Sequence, residues 1–190
     1  MKQCNEEADA DEKTLRISID AKATVKVGPF ARGGKSRVLT KAADHDFHSQ
    51  AKVTPVGIFL PVSDELFLYG VTSKVTSDCL VDRLIDWWET VKERFSHITT
   101  LLINLDNGPE NQSRRTQFMQ RLVEFVQRYH ITVRLAYYPP YHSKYNPIER
   151  CWGILEQHWN GALLDSVDAV LQYARTASTR SGCHTTCPGD

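Results

Sequence analysis

The segment TTLLINLD at residues 99–106 is the feature that most constrains how this chain can fold. It is strongly apolar and ends in Asp106, which is typical of a central strand of a sheet. An amphipathic helical pattern precedes it at residues 77–95, and another follows it at residues 114–130. Because the apolar faces of these helices must be buried against a sheet, we expect an α/β fold, a mixed β-sheet flanked by α-helices.

The rest of the chain adds strand patterns before this unit and helical patterns after it. Ser77 or Asp78 is the expected N-cap of the first long helix. We predict one domain over residues 14–175, between a disordered N-terminal segment at 1–13 and a disordered tail at 176–190. The other expected elements are strands at 14–20, 23–27, 56–60, 66–71 and 131–138, and helices at 147–160 and 166–175.

Composition excludes several classes of protein. Lys+Arg and Asp+Glu each number 23, so the net charge indicates no particular partner. Hydrophobic residues make up 41% of the chain, which excludes a wholly disordered protein. The odd number of cysteines, five, the polar N-terminus and the lack of an apolar run of membrane length predict a reducing, cytoplasmic protein without disulfides.

Positive charge is concentrated in two parts of the sequence. Residues 21–43 contain six basic side chains and no acid, and residues 114–134 contain five arginines and a single acid, Glu124. Such clusters can form a positive face for nucleic acid on a neutral chain, or an ordinary solvated surface. Both interpretations remain open from charge alone.

Three acids occupy positions where a rigid element begins or ends. Asp20 ends the first strand, Asp106 ends the apolar strand before an Asn-Gly turn, and Glu149 falls in the first turn of a helix. Each has an ordinary structural role available, as a strand end, a turn residue or a helix cap. Rigid elements also aim catalytic groups, and carboxylates are the ligands that Mg²⁺ prefers. Glu156, on the same helical face as Glu149, is a rival ligand.

The start of that helix carries a capping pattern. Asn146 is the expected N-cap, Pro147 suits the first helical position, and Glu149 falls where a capping-box acid belongs. This pattern would fix the direction of the Glu149 side chain. The expected apolar stripe of the helix comprises Ile148, Cys151, Trp152, Leu155 and Trp159, and all four tryptophans (Trp87, Trp88, Trp152 and Trp159) are expected in the core rather than on a base-stacking surface.

Beyond these features, the sequence resembles the DDE transposases of bacterial insertion sequences, in the broad mariner-like superfamily, and looks most like the Rhodopirellula-type transposase DDE domain. The resemblance covers roughly residues 14–170, and its most specific part is D-N-G followed by P-P-Y-x(4)-N-P-I-E-R-x-W. The matching segments are ISIDAKATVKVGPFARGGKSR, DHDF, INLDNGPENQSRRTQFMQRLVEF and YYPPYHSKYNPIERCWGILEQHWNG.

The resemblance implies an RNase H-like fold and a particular chemistry. Asp20, Asp106 and Glu149 would be the D, D and E that hold two Mg²⁺ or Mn²⁺ ions. The implied reaction is hydrolytic cleavage of DNA at transposon ends, followed by attack of the freed 3′-hydroxyl on target DNA. The implied partners are transposon-end and target DNA, and the active form would be a homodimer or a higher oligomer.

Several further residues are expected near the DNA or the ions. Asn107 follows Asp106 and is a candidate for orienting a metal-bound water. The segment GPFARGGKS lacks the spacing of a nucleotide-binding P-loop and is expected instead to be a basic loop on the DNA backbone. The candidate DNA-binding residues are Arg32, Lys35 and Arg37 in this loop, with His142 and Lys144 shortly before Glu149.

The two ends of the chain depart from the family pattern. Nineteen residues precede Asp20, too few for a helix-turn-helix, and the pattern is lost after about residue 176. These departures predict a truncated transposase. Two alternatives remain: an RNase H-like nuclease without strand transfer, and a catalytically inert remnant that binds DNA.

Overall fold

The structure, a computed structural model, describes residues 1–29, 51–139 and 145–177, together with the backbone of residues 183–184. Its strands are β1 (Thr14–Ala21), β2 (Val25–Val27), β3 (Ala51–Leu60), β4 (Glu65–Val71), β5 (Thr100–Leu105), β6 (Thr132–Tyr137) and β7 (Cys183–His184). Its helices are α1 (Lys2–Ala10), α2 (Ser77–Val91), α3 (Thr116–Tyr129), α4 (Ile148–Trp159) and α5 (Val167–Thr176).

The strands form a mixed sheet in the order β6-β5-β1-β3-β4-β7, and β2 pairs with β3. Strand β1 runs parallel to β5, and β5 runs parallel to β6. Strand β3 is antiparallel to both β1 and β4, as expected for the hairpin that β3 and β4 form. The mixed sheet predicted from the sequence is therefore confirmed, with β5 in an interior position.

The alternation of side chains along β1 shows how the sheet is covered. Leu15, Ile17 and Ile19 point into a core that they share with α2 and α3. The intervening residues Arg16 and Ser18 point to the opposite face, as does Asp20 beyond them. This opposite face is covered by α4 and α5 over β3 and β4, and by α1 over β5 and β6. The odd-numbered residues of β1 therefore pack in the core on the α2/α3 side, and its even-numbered residues place polar groups on the other side of the sheet.

The two faces have different cores. The α2/α3 face is aromatic: the rings of Trp88 and Phe125 lie 6.3 Å apart, and those of Phe125 and Tyr129 lie 4.8 Å apart. On the α4/α5 face, the predicted apolar stripe of α4 is confirmed, because all five of its members are buried. The four tryptophans are at most 5% exposed, which confirms the prediction that they belong to the core.

The arginines of α3 are paired with acids rather than presented as a positive surface. Arg121 contacts Asp82 at 2.5 Å and Glu124 at 2.5 Å, and Arg128 contacts Glu89 at 3.0 Å. The acids come mainly from α2, which packs beside α3. For these two arginines of the second basic run, the solvated-surface interpretation is the better one, because their charge is locally balanced.

Helix α1 is the main departure from the expected architecture, because residues 1–13 were predicted to be disordered. Ala8 is buried against the sheet, and Arg16 donates two hydrogen bonds of 2.6 and 2.7 Å to the Asp9 carboxylate. Asn104 donates to Asn5 Oδ1 at 3.0 Å. The prediction failed because α1 docks through polar groups and small side chains, which leave no apolar periodicity in the sequence. The tail prediction also needs correction at Cys183–His184, whose backbone pairs with β4.

The start of α2 also differs from expectation. The N-cap is Thr76, whose hydroxyl accepts a hydrogen bond from the backbone N–H of Cys79. Ser77, one of the two predicted caps, instead donates its hydroxyl proton to the carbonyl of Glu110 at 2.6 Å. Within the described ranges, Cys4, Cys79 and Cys151 form no disulfide, and the helices all fall short of the length and apolarity that a membrane span needs.

Candidate active site

Asp20 lies near the end of β1, and Asp106 directly follows β5, the parallel strand beside it. The register of β1 with β5 pairs Ser18 with Asn104. Continued by two residues, the same register brings Asp20 level with Asp106. Adjacent strands are about 4.8 Å apart, so the two carboxyl groups face the same small region. Asp20 is two residues after Ser18 and Asp106 is two residues after Asn104, so both side chains point to the face of the sheet that Ser18 and Asn104 share.

The loop after β5 fixes the Asp106 carboxylate. Asp106 Oδ1 accepts hydrogen bonds from the backbone N–H of Gly108 at 3.1 Å and from Asn111 Nδ2 at 2.9 Å. Asn107 takes a left-handed backbone conformation with φ of 63°, which Asn tolerates better than most residues. The Asn111 carbonyl in turn accepts from the Tyr137 hydroxyl at 2.9 Å. This network holds one oxygen of Asp106 and leaves Oδ2 for a ligand.

Glu149 enters the same region from the first turn of α4, but the expected cap is wrong in detail. The N-cap is Pro147, and it makes no side-chain capping hydrogen bond. The backbone N–H of Glu149 donates to the carbonyl of Asn146 at 3.0 Å. The Asn146 side chain is buried and accepts a hydrogen bond from the Ser18 hydroxyl instead of capping the helix. Asn146 therefore ties the start of α4 to strand β1.

Trp152 connects α4 to Asp20 directly. Its indole Nε1 donates to Asp20 Oδ2 at 2.7 Å. The ring lies over Gly57, the residue opposite Asp20 in the β1–β3 pairing. A Cβ at Gly57 would stand 2.6 Å from the ring, too close for any side chain larger than hydrogen. Glycine at this position therefore allows the close approach that brings the indole to the carboxylate.

The pKa values of Asp20 and Glu149 are both raised by burial and by neighbouring negative charge. Burial raises the pKa of Asp20 to about 7, and the negative charges of Asp106 and Glu149 add to this effect although the Trp152 hydrogen bond opposes it. Burial, followed by the charge of Asp106, also raises the pKa of Glu149, and Lys22 acts in the opposite direction. Ionised carboxylates in such a cluster repel one another until a cation neutralises them.

The predicted rival ligand Glu156 has a different role in the structure. Its carboxylate pairs with the ammonium group of Lys22 at 2.6 Å. The Lys22 side chain is largely buried, with 14% of it exposed, whereas Glu156 is half exposed. Glu156 is therefore the ion-pair partner of Lys22. Glu149 is the acid of α4 whose negative charge raises the pKa of Asp20.

The donor set fits a hard divalent cation with its waters. Asp20, Asp106 and Glu149 offer carboxylate oxygens, the ligand type that Mg²⁺ and Mn²⁺ prefer. Asn111 Oδ1, beside Asp106, is buried and accepts no hydrogen bond from any described residue, so an acceptor is available there. Among residues 1–29, 51–139 and 145–177, however, no three acidic, histidine or cysteine side chains are grouped as an ion would need. The three carboxylates therefore lie in one region of the protein but are not close enough together to coordinate a single ion.

The other predicted site residues have different outcomes. Asn107 is exposed beside Asp106, and Pro147, predicted at the first helical position, is the N-cap of α4. The five candidate DNA-binding residues (Arg32, Lys35, Arg37, His142 and Lys144) lie outside the described residues, so their role stays a prediction. Sequence reasoning did not assign Ser18, Gly57 or Asn111 to the site, and it placed Trp152 only in the core. Asn111 had a local signal, because it stands five residues after Asp106 in the loop DNGPEN.

The architecture is similar to that of transposase catalytic cores. The chain aligns with the Mos1 transposase paired-end complex with left transposon end, with a TM-score of 0.60 and 10% identity, over 90% of this chain and 49% of that one. The Mos1 mariner paired end complex with Mn gives 0.58 and 13%, over 84% and 46%. A pre-cleavage Mos1 transpososome gives 0.54 and 9%, over 90% and 51%. The chain thus spans about half the length of these structures, and its fold is the RNase H-like fold of transposase catalytic cores.

The fold is that of transposase catalytic cores, and the family to which the chain is similar belongs to one class, the DDE transposases. A family model described as the Rhodopirellula transposase DDE domain matches residues 1–188. The chain belongs to this family, as the sequence resemblance indicated. A comparison with curated proteins finds no match.

Proposed function

We propose that this domain cleaves DNA strands at transposon ends and joins the freed 3′-hydroxyl to target DNA, with Asp20, Asp106 and Glu149 as its metal-binding catalytic residues. The observation that carries the proposal is the meeting of these acids at one edge of the sheet. Asp20 lies near the end of β1 and Asp106 directly follows the parallel strand β5, and the charges of Asp106 and Glu149 both raise the pKa of Asp20. Carboxylates from three separate parts of the chain lie near enough for their negative charges to raise the pKa of Asp20, a repulsion that a bound cation would relieve.

The implied cofactors are two Mg²⁺ or Mn²⁺ ions. Bound there, such ions would supply activation of an attacking oxygen and stabilisation of the leaving oxygen of a phosphodiester. One of the similar Mos1 structures is described as a complex with Mn. In this chain, Gly108 and Asn111 hold Asp106 Oδ1, and Trp152 holds Asp20 Oδ2. Each aspartate is thereby oriented with one oxygen left for an ion.

The proposed partner is DNA, bound by a homodimer or a higher oligomer. The similar structures are described as a paired-end complex and a transpososome, names that refer to assemblies on DNA. We propose that Arg32, Lys35, Arg37, His142 and Lys144 contact the phosphate backbone here. Contacts of this kind supply affinity without sequence specificity and weaken as the salt concentration rises.

The test is nicking of supercoiled plasmid by the purified chain in Mg²⁺, Mn²⁺ or EDTA. We expect nicking that requires a metal ion and is lost in Asp106→Asn. Asp165→Asn is the matched control, because it makes the same chemical change at an exposed carboxylate in the connection between α4 and α5. A folded wild-type protein that does not nick DNA would favour the inert remnant.

A second assay separates transposition chemistry from simple hydrolysis. A labelled oligonucleotide with a free 3′-hydroxyl is incubated with plasmid, and covalent joining of the label to the plasmid is measured. Joining that depends on Asp106 would support strand transfer. Metal-dependent nicking without any joining would instead favour an RNase H-like nuclease.

A further inference from the structure

One hydrogen bond between side chains joins helix α4, which carries Glu149, to strand β1, which carries Asp20. Trp152 stands three residues after Glu149, one helical turn further along α4. Its indole N–H donates to Asp20 Oδ2 at 2.7 Å. An indole N–H is a donor only, so it can hold a carboxylate oxygen but cannot itself bind a cation. The contact therefore selects which Asp20 oxygen remains available.

The surroundings of Trp152 hold the indole in this position. The residue is 5% exposed and belongs to the core that β3, β4, α4 and α5 form. Its ring packs on Gly57, where a Cβ would meet ring atoms at 2.6 and 3.1 Å. Gly57 is also the pairing partner of Asp20 across β1 and β3. The glycine, the indole and the carboxylate thus form one contiguous contact.

We infer that Trp152 is a positioning residue for metal binding, which orients the Asp20 carboxylate and makes its orientation depend on the placement of α4. The inference rests on the proposed function, because it concerns the same metal-binding acids. Helix α4 then controls two of the three acids, Glu149 as its own residue and Asp20 through the indole.

The first test compares Trp152→Phe with Trp87→Phe for Mn²⁺ affinity, measured by calorimetry. The Trp152 variant keeps an aromatic ring and loses the N–H donor. Trp87 is the matched control, because it is fully buried in the other core and its Nε1 has no hydrogen-bond partner among the described residues. Loss of a group that orients a metal ligand weakens metal binding by about 10- to 100-fold. We expect at least a tenfold loss in Trp152→Phe and no change in Trp87→Phe.

The second measurement does not require a variant of Trp152 to fold. The indole N–H of a tryptophan bonded to a carboxylate gives a proton resonance shifted to high frequency. We expect one of the four indole resonances of the wild-type protein to show this shift, to respond to Mg²⁺, and to move back towards the others in Asp20→Asn. In the nicking assay, Trp152→Phe should lower kcat and leave the KM for DNA unchanged.

The outcomes separate this inference from the proposed function. If the wild-type protein binds no Mn²⁺, both the proposed function and the positioning role of Trp152 are overturned. If it binds Mn²⁺ and a folded Trp152→Phe binds it equally well, the positioning role alone is overturned. An indole resonance that is the same in the wild-type protein and in Asp20→Asn would also overturn the role.

Discussion

The buried hydroxyl of Ser18 donates a hydrogen bond to Asn146 Oδ1, and so joins strand β1 to the start of helix α4 across 128 positions of the chain. This contact stands next to Asp20 on the strand side and close to Glu149 on the helix side. It replaces the local helix cap that the sequence suggests. The bond fixes the helix relative to the sheet, where a cap would have fixed the helix only relative to its own first turn.

Asn146→Ala should therefore reduce activity more than it reduces helical content. We expect nicking to fall by about tenfold, because Glu149 loses its fixed distance from the aspartates. Far-ultraviolet circular dichroism should not change. A double-mutant cycle with Ser18→Ala, followed by urea denaturation, should give a coupling energy of about 1 kcal/mol. Additive effects of the two substitutions would show that the bond contributes nothing.

Gly57→Ala tests the close approach of α4 to the sheet. The added methyl group has to displace Trp152 or Ile148, whose atoms would stand 2.6 and 2.9 Å away. We expect a loss of stability of about 1–3 kcal/mol in urea denaturation, and weaker Mn²⁺ binding. The control is Gly153→Ala in α4, where the new Cβ meets nothing within 4 Å. That variant should be more stable by up to about 1 kcal/mol, because alanine favours a helix. A neutral Gly57→Ala would contradict the packing argument.

The stability of the metal-free protein should fall as pH rises. The folded-state pKa of Asp20 is raised from 3.8 to about 7, so the folded protein holds a proton that the unfolded chain releases. The stabilisation is complete below pH 3.8 and is lost as pH rises through about 7. We expect Asp20→Asn to be more stable than the wild-type protein at pH 8 in EDTA, by about 2–4 kcal/mol. Equal stability of the two proteins at pH 8 would contradict the raised pKa.

Divalent cations should reverse this loss. A ligand that binds only the folded protein, at ten times its Kd, adds about 1.4 kcal/mol of stability. We expect Mg²⁺ or Mn²⁺ to raise the Tm at pH 8, and EDTA to abolish the increase. The increase should be absent in Asp106→Asn and present in Asp165→Asn. An equal increase in both variants would locate the ion elsewhere in the protein.

The docking of α1 can be tested through the ion pair of Arg16 and Asp9. Arg16 is 9% exposed, so Asp9→Asn leaves a buried guanidinium without its carboxylate. We expect a loss of about 2 kcal/mol in urea denaturation. Glu6→Gln is the control, because the Lys2–Glu6 pair is exposed to solvent. An equal effect of the two substitutions would show that α1 is not held by Arg16.

Periodicity was sufficient to predict most of the sheet and the helices. The apolar segment at 99–106 and the alternation at 14–20 both lie in strands of the interior of the sheet. These patterns succeed because burial of an alternating or striped face follows from local sequence. Helix α1 was not predicted, since its contacts are a polar pair between Asp9 and Arg16 and a small buried residue, Ala8.

The positions of the three candidate acids follow from local patterns, whereas the contacts that orient Asp20 and Asp106 do not. Asp20, Asp106 and Glu149 each stand at an element boundary that local patterns reveal. Ser18, Gly57 and Trp152 act across the sheet, and no pattern within a short window pairs a strand serine with a helix-start asparagine. The capping prediction for Asn146 failed for the same reason. Its side-chain oxygen could accept from a backbone N–H of the helix start or from a distant side chain, and it accepts from the Ser18 hydroxyl.

The parallel register of β1 and β5 has a consequence for judging the quality of any preparation of this protein. A slip of one residue between these strands would turn the Asp106 side chain to the opposite face of the sheet. Such a misregistered product would keep its strand content and pass a circular dichroism check. It would have one aspartate facing Glu149 instead of two. Stoichiometric uptake of divalent ions is therefore a stricter criterion of correct refolding for this chain than any spectroscopic measure of secondary structure.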